Sequence, residues 1–345
     1  MYPDFYAIVT EAWEHYDGSR KIISIKDISA KVSTNHVFKL VLGSGTSIIG
    51  KLSYFGKYDD FLEDHTLINA LANNLPDPYD NFLSKSLLKK NQLYTYRHRS
   101  GVLDAWVVFY NPIKVKNQLP KILDEVQIGK LGTELAKFHK TCATLTNVLP
   151  SWSKTMQTDI MHLLEIIKTP HGQYEHRGNI DEIRRQAAIL FTNLKELKTD
   201  TWTPIPVFVD WNIGNFSIDQ DGGFYSRWDY DWFRMSSRVM DFYFFSRVCS
   251  SVGDKSVFSY LTDPMMEDRF ILFLKKYHEE YPLTREEIIF FKEAYRFFIL
   301  NYVVKDGRYF FHEVYATRLQ REAFEIYFPQ IDNFNPDKIL ASLDF

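Results

Sequence analysis

The apolar positions Phe5, Ile8, Val9, Ala12 and Trp13 recur at the i, i+3, i+4, i+7, i+8 spacing, which gathers them on one face and predicts a helix that Asp17-Gly18 ends. From about Lys21 to Ser53 the period shortens to two. Residues 37–42 alternate, residues 43–46 (GSGT) supply the flexible positions of a hairpin, and the extended pattern resumes from Ser47. Residues 61–76 then predict a single helix, with Phe61, Leu67, Ile68 and Leu71 on its face, acids near its start and Pro76 after its end. Two more strands, 92–99 and 103–110, meet at Ser100-Gly101. After Asn111-Pro112 the period lengthens again. Ile128, Leu131, Leu135, Phe138 and Cys142 step by three and four along one long buried stripe. A second helix is expected at about 179–197, short strands separated by Asp, Asn and Gly at 204–231, and helices at 239–250, 266–281, 285–304 and 314–328. Thr284 with Glu287 forms a capping box that starts the third of these. The pattern therefore predicts an α+β protein with a small antiparallel β-rich lobe over residues 1–110, holding one inserted helix, and a larger helical lobe over 111–345. The cleft between them is the default ligand site.

Composition narrows the partners. Lys+Arg 41 against Asp+Glu 44 leaves a formal charge of -3, without the basic field of a phosphate-backbone binder, so no nucleic-acid partner is expected. No apolar run reaches the roughly 18 residues of a membrane span, and the N-terminus lacks the basic start and apolar core of a signal peptide. Two cysteines, Cys142 and Cys249, are too few for a disulfide framework or a thiolate zinc site. A cytoplasmic protein without a membrane partner is expected. Phe 28, Tyr 21 and Trp 7 bring the aromatic share to 16%, most of it at helical spacings that suit core packing.

The candidate chemistry lies in the turn-rich stretch. Asp210 and Asn215 stand five residues apart on a loop between short apolar strands, and Asp229 and Asp231 follow at the end of the next one. Phosphoryl transfer calls for these residue types, a carboxylate to orient and deprotonate a hydroxyl and hard amide and carboxylate oxygens for a magnesium ion that bridges phosphates. An Asp-x4-Asn spacing by itself also fits a turn held by Asx side chains.

Further segments bear on that choice. Phe208-Val209-Asp210-Trp211-Asn212-Ile213-Gly214-Asn215 and Trp228-Asp229-Tyr230-Asp231 resemble the His-Gly-Asp-x4-Asn loop and the Ile-Asp-Phe/Trp-Asp/Glu strand of the aminoglycoside phosphotransferase and choline kinase-like superfamily. In the same order, Ser33-Thr34-Asn35-His36-Val37-Phe38 resembles that family's turn into its second strand, and Leu135-Ala136-Lys137-Phe138-His139 its Leu-Ala-x-Leu-His helix. Ser237-Arg238-Val239-Met240-Asp241-Phe242 and Tyr281-Pro282-Leu283-Thr284 are similar to segments of its homoserine kinase-like branch.

The resemblance implies a bilobal protein kinase-like fold that uses ATP and Mg2+ to phosphorylate a hydroxyl of a small molecule. It implies Lys51 as the strand lysine on the α- and β-phosphates, Ile49 against the adenine, and Glu63 or Asp64 as the helix acid paired with the lysine. Asp210 would be the base, and Asn215 and Asp229 the metal ligands. Asp231 could face the acceptor, and Tyr243, Tyr302 and Tyr309 are candidate acceptor contacts among the C-terminal aromatics. Asp241 reads as a structural cap or anchor, His139 as a core histidine, and His171 and His176 as surface residues in a loop. The chain departs from the pattern at Phe208, where the family has histidine, and at Val209, where it has glycine. A pseudokinase and a Ser/Thr protein kinase of the same superfamily are the alternatives.

Overall fold

The computed structural model describes residues 3–30, 34–101, 103–253 and 259–345; Ser33 of the turn motif lies outside them. Helix α1 (Phe5–Asp17) starts where the Asp4 side chain accepts from the Ala7 N–H, and it buries the predicted face Ile8, Val9, Ala12 and Trp13. The strands β1 (Ile22–Asp27), β2 (His36–Leu42), β3 (Ser47–Ser53), β6 (Thr95–Ser100) and β7 (Leu103–Tyr110) form one antiparallel sheet in the order β1-β2-β3-β7-β6. Helix α2 (Tyr58–Asn74) and a two-residue ladder of β4 (Leu88–Lys89) with β5 (Gln92–Leu93) lie between β3 and β6 in the chain.

Successive strand residues face opposite sides, and β7 uses both. Val107 and Phe109 join Trp13 of α1, Phe38 and Leu40 in one core, while Val108 and Tyr110 join Leu67, Ile68 and Leu71 of α2 in a second core continuous with the helical half. The sheet is thus covered on both faces, and central β3, which carries Lys51 opposite Val37 and Val108, is held on both edges.

Beyond residue 110 the elements are α3 (Glu125–Leu145), α4 (Met156–Ile166), α5 (Pro170–Glu175), α6 (Ile180–Glu196), β8 (Ile205–Val207), β9 (Phe216–Ile218), β10 (Phe224–Arg227), β11 (Arg234–Ser236), α7 (Phe242–Cys249), α8 (Asp268–Glu280) and α9 (Arg285–Phe298). A π-helical segment, Ile299–Lys305, continues α9, and α10 (Gly307–Phe310), α11 (Glu313–Glu322), α12 (Phe328–Asp332) and α13 (Asp337–Ser342) complete the chain. Helices α3 and α8 lie so close that a Cβ on Gly132 would stand 2.4 Å from the Phe273 carbonyl oxygen, which is why a glycine interrupts the α3 stripe. The Thr284/Glu287 capping box opens α9 as expected.

Two expectations are corrected. Pro170-His171-Gly172, read as a loop, lies in a short helix, Pro170–Glu175, capped by Thr169, and His176, read as a surface residue, is 3% exposed. Among the described residues no helix is long and apolar enough to cross a membrane.

Candidate active site

The Asp210 loop runs from β8 into β9, and its shape is set from below. Asp241, fully buried, accepts through Oδ1 from the N–H groups of Phe208 (2.9 Å) and Val209 (2.7 Å), and its Oδ2 meets His139 Nε2 at 3.0 Å. Tyr277 holds the other ring nitrogen of His139 at 2.9 Å, and burial lowers the pKa of that imidazole. Asp241 therefore anchors the Asp210 loop. The cap of the short helix Arg238–Asp241 is Ser237, which corrects the capping half of the expectation for Asp241. Val209 sits at φ 60°, a left-handed conformation that disfavours a β-branched residue. It turns the chain so that Asp210 follows, its Oδ1 accepting from the Asn212 N–H at 3.1 Å.

Asn215 and Asp229 are joined to the same loop. The Asn215 amide nitrogen lies 3.5 Å from the Asp210 carbonyl oxygen, which leaves its amide oxygen as the end for a ligand. The Asn215 carbonyl accepts from the Trp228 N–H at 3.0 Å, so the turn bearing Asp229 is fastened to the loop bearing Asp210. Asp229 also has positive φ, 66°, which a short polar residue tolerates. Burial pushes the Asp210 carboxyl up to about 7, with Asp229 adding to the effect, and cleft burial followed by the Asp231 charge raises that of Asp229.

Lys51 reaches this cluster from β3. Its ammonium is paired with Asp231 and lies 3.9 Å from Asp229. Burial works to lower its pKa, but Asp231 and Asp229 outweigh burial and raise it. Asn35 donates to the other Asp231 oxygen at 2.7 Å, tying the turn before β2 to the same carboxylate. Ile49, two residues before Lys51 on the same strand, is half-buried opposite Tyr110.

The two α2 acids are directed elsewhere. Glu63 accepts from both the N–H and the hydroxyl of Ser153 at 2.8 Å, and Asp64 is paired with Lys154, both partners lying on the segment that leads into α4. Burial raises the Asp64 carboxyl to about 6 against the opposing pull of Lys154. The partners of Lys51 are accordingly Asp231 and Asp229. The α3–α4 connection that captures Glu63 and Asp64 is far away in sequence, so helical spacing in α2 carried no sign of it. His65, the next residue, donates from Nδ1 to the Phe61 carbonyl (2.9 Å), and its buried Nε2 has no hydrogen-bond partner among the described residues.

A cavity of about 420 Å3 opens beside Asp231 between α2, α4 and the π-helical segment. Tyr302 and Tyr309 line it; Tyr243 is buried in the helical core, its hydroxyl donating to the Leu261 carbonyl at 3.2 Å. Arg234 and Lys305 are two of the cations in its wall that sequence reasoning missed. Arg234 is bound to Asp159 at 3.0 Å and lies over the Phe297 ring, and Lys305 is bound to Asn301 at 2.8 Å and Asp306 at 3.2 Å. A third missed residue is Arg227, fully buried at the end of β10. Nothing in the local pattern marks a charged residue for burial when its carboxylate partners come from other segments.

No family model matches the chain, and no curated protein sequence matches it. Among solved structures, an amicoumacin kinase in complex with AMP-PNP and Ca2+ aligns over 98% of this chain and 97% of its own, with a TM-score of 0.63 at 13% identity. A microcompartment-associated aminopropanol kinase aligns over 94% of this chain and 98% of its own, with a TM-score of 0.58 at 13% identity. An aminoglycoside phosphotransferase in complex with gentamicin covers 98% and 99%, with a TM-score of 0.56 at 12% identity. The likeness runs from end to end. It shows the bilobal protein kinase-like fold, in the form shared by aminoglycoside phosphotransferases and related small-molecule kinases.

Proposed function

We propose that the protein is an ATP- and Mg2+-dependent phosphotransferase that moves the γ-phosphate to a hydroxyl of a small molecule such as an amino alcohol, an amino sugar or an aminoglycoside-like compound. Residues 1–110 would hold the nucleotide and 111–345 the catalytic loop and acceptor. The observation that carries this reading is the convergence of Lys51, Asp210, Asn215 and Asp229, from three separate stretches of chain, around one set of carboxylates.

The donor set fits a magnesium ion. Asn215 and Asp229 offer hard oxygens, and an ion that completes its shell with phosphate and water needs only one or two protein ligands. Among the described residues no group of three His, Cys, Asp or Glu side chains could hold an ion by itself. Bound there, the metal would neutralise the phosphate oxygens. Lys51 would exchange the Asp231 carboxylate for phosphate, and Asp231 would be released towards the acceptor cavity lined by Tyr302 and Tyr309. Asp210, whose pKa lies near neutral, would accept the hydroxyl proton, the range in which a general base works best.

Phe208, in place of the family's histidine, favours a second reading as a nucleotide-binding pseudokinase. The test is ADP release from ATP and Mg2+ across a panel of amino alcohols, amino sugars, aminoglycosides and a generic protein substrate, run beside ATP binding by thermal shift. Transfer to a small acceptor is expected. Binding without transfer to any acceptor would establish the pseudokinase, and transfer to the protein alone a protein kinase.

A further inference from the structure

Arg227 is a charge buried at the end of β10. Its side chain is fully buried, with the guanidinium 4.5 Å from the Phe208 ring centroid and 4.3 Å from that of Trp211. Nη2 donates to the Asp210 carbonyl oxygen at 2.7 Å, while Nε and Nη1 have no hydrogen-bond partner among the described residues. Removing a guanidinium from water costs several kcal/mol unless nearby charge and polar contacts offset it. Three carboxylates, Asp210, Asp241 and Asp229, supply that charge, and the two rings supply cation–π contact.

The backbone of Arg227 is as firmly held as its side chain. Its N–H donates to the Phe82 carbonyl at 2.7 Å, and its carbonyl accepts from the Tyr230 hydroxyl at 2.9 Å. That hydroxyl in turn accepts from the Ser84 N–H at 2.7 Å. Two residues further along the chain stands Asp229. One residue therefore touches the Asp210 loop with its side chain, introduces the Asp229 turn with its backbone, and leans on the 82–84 segment.

We propose that Arg227 is a positioning residue that clamps the Asp210 loop to the strand carrying Asp229, with the Phe208 and Trp211 rings, set at 83° to each other, forming the corner that receives the guanidinium. The proposal rests on the phosphotransferase reading for its catalytic consequence but not for the clamp itself. It gives Phe208 a purpose: an aromatic face at position 208 receives the planar cation. Lysine is no substitute, because an ammonium has neither the planar face nor the forked donors.

The test is Arg227→Met, whose apolar side chain suits the corner formed by the two rings. The variant is expected to stay folded and to bind ATP with an affinity within about threefold of wild type, while turnover falls by about 100-fold, the scale expected when a reacting group is displaced by about 1 Å. Native-state hydrogen exchange is expected to be about tenfold faster at amides 208–215, reflecting a looser loop. A folded Met variant with wild-type turnover, or with unchanged exchange over 208–215, overturns the proposal. If the Met variant does not fold, Arg227→Lys takes its place with the same expected losses and the same overturning results. Wild-type protein that neither binds nor hydrolyses ATP would sink the phosphotransferase reading instead, and the exchange measurement would still decide the clamp.

Discussion

Asp241 holds Val209 in a left-handed turn. Its Oδ1 accepts from the Val209 N–H at 2.7 Å while the residue stands at φ 60°. A β-branched residue in that region stores about 1–3 kcal/mol of strain, which persists only where surrounding contacts over-determine it. The carboxylate is therefore a structural part of the loop that presents Asp210.

Asp241→Asn is expected to destabilise the protein by about 1–3 kcal/mol, because a neutral amide oxygen accepts from the two backbone N–H groups more weakly than a carboxylate does, and its NH2 forces His139 into the tautomer whose Nε2 accepts. Urea unfolding measures the loss. Phosphate transfer should fall as well, since the Val209 turn relaxes. Wild-type stability in the Asn variant would show that the carboxylate is not the anchor.

Asp210→Asn keeps the shape of the side chain and removes the proton acceptor. Transfer to a hydroxyl is expected to drop by about 1,000-fold, within the usual range for a general base, while the affinity for ATP changes little. Steady-state kinetics with calorimetric titration of AMP-PNP separates the two. An active Asn variant would remove Asp210 from the proposed mechanism.

Lys51→Met should weaken binding of Mg2+-AMP-PNP by about tenfold or more, equivalent to about 1.4 kcal/mol. The unfolding free energy should move less, because the methionine fills the same space on β3 and Asn35 still holds Asp231. Unchanged nucleotide affinity would mean that the lysine serves only its pairing with Asp231.

Tyr309→Ala opens the side of the cavity. The ring lies beside Phe55 at 6.0 Å, and its own backbone carbonyl accepts from the Thr34 hydroxyl, so truncation removes the acceptor contact and leaves the backbone bond in place. An acceptor KM raised by about tenfold at nearly constant kcat is expected if the ring contributes uniform binding.

His65 makes stability depend on pH. Burial, assisted by the Lys51 charge, pushes its imidazole down to about 3, below the value of about 6.5 for an unfolded histidine. The unfolded chain therefore takes up the proton first, and the stability contributed by the neutral ring is complete above about pH 6.5 and lost as the pH falls towards 3. Between pH 7 and pH 5 the loss is about 2 kcal/mol. Asp64, raised to about 6, acts in the opposite sense over part of that window, its protonation favouring the folded state as the pH falls. Comparing urea midpoints of wild type and His65→Gln at both pH values isolates the histidine. A pH slope unaltered by the substitution would contradict the assignment.

Much of the fold was legible because the relevant signals are local. The 3.6-residue stripe of Ile128, Leu131, Leu135, Phe138 and Cys142 became α3, and the alternation around residues 37–42 and 47–53 became β2 and β3. Helix α4 escaped notice because its start is a Thr155/Thr158 box without the Glu or Gln that usually marks one, and α5 because Pro170 and Gly172 read as loop residues. In the site, spacing brought Asp210, Asn215 and Asp229 to attention. The direction of Glu63 and Asp64 escaped it, since Ser153 and Lys154 reach α2 from another segment.

The order of apolar and polar residues by itself determined where most of the helices and strands would lie and which residue types suited a phosphate-handling site. Periodicity and chemical identity are properties of neighbours in sequence. Which charge meets which was decided only by the tertiary structure: Lys51 with Asp231, Asp241 beneath the Val209 turn, Arg227 against the rings of Phe208 and Trp211. The cost of burying a charge is met by whatever opposite charge or ring the folded chain brings within a few ångströms, and that distance is unrelated to separation along the sequence.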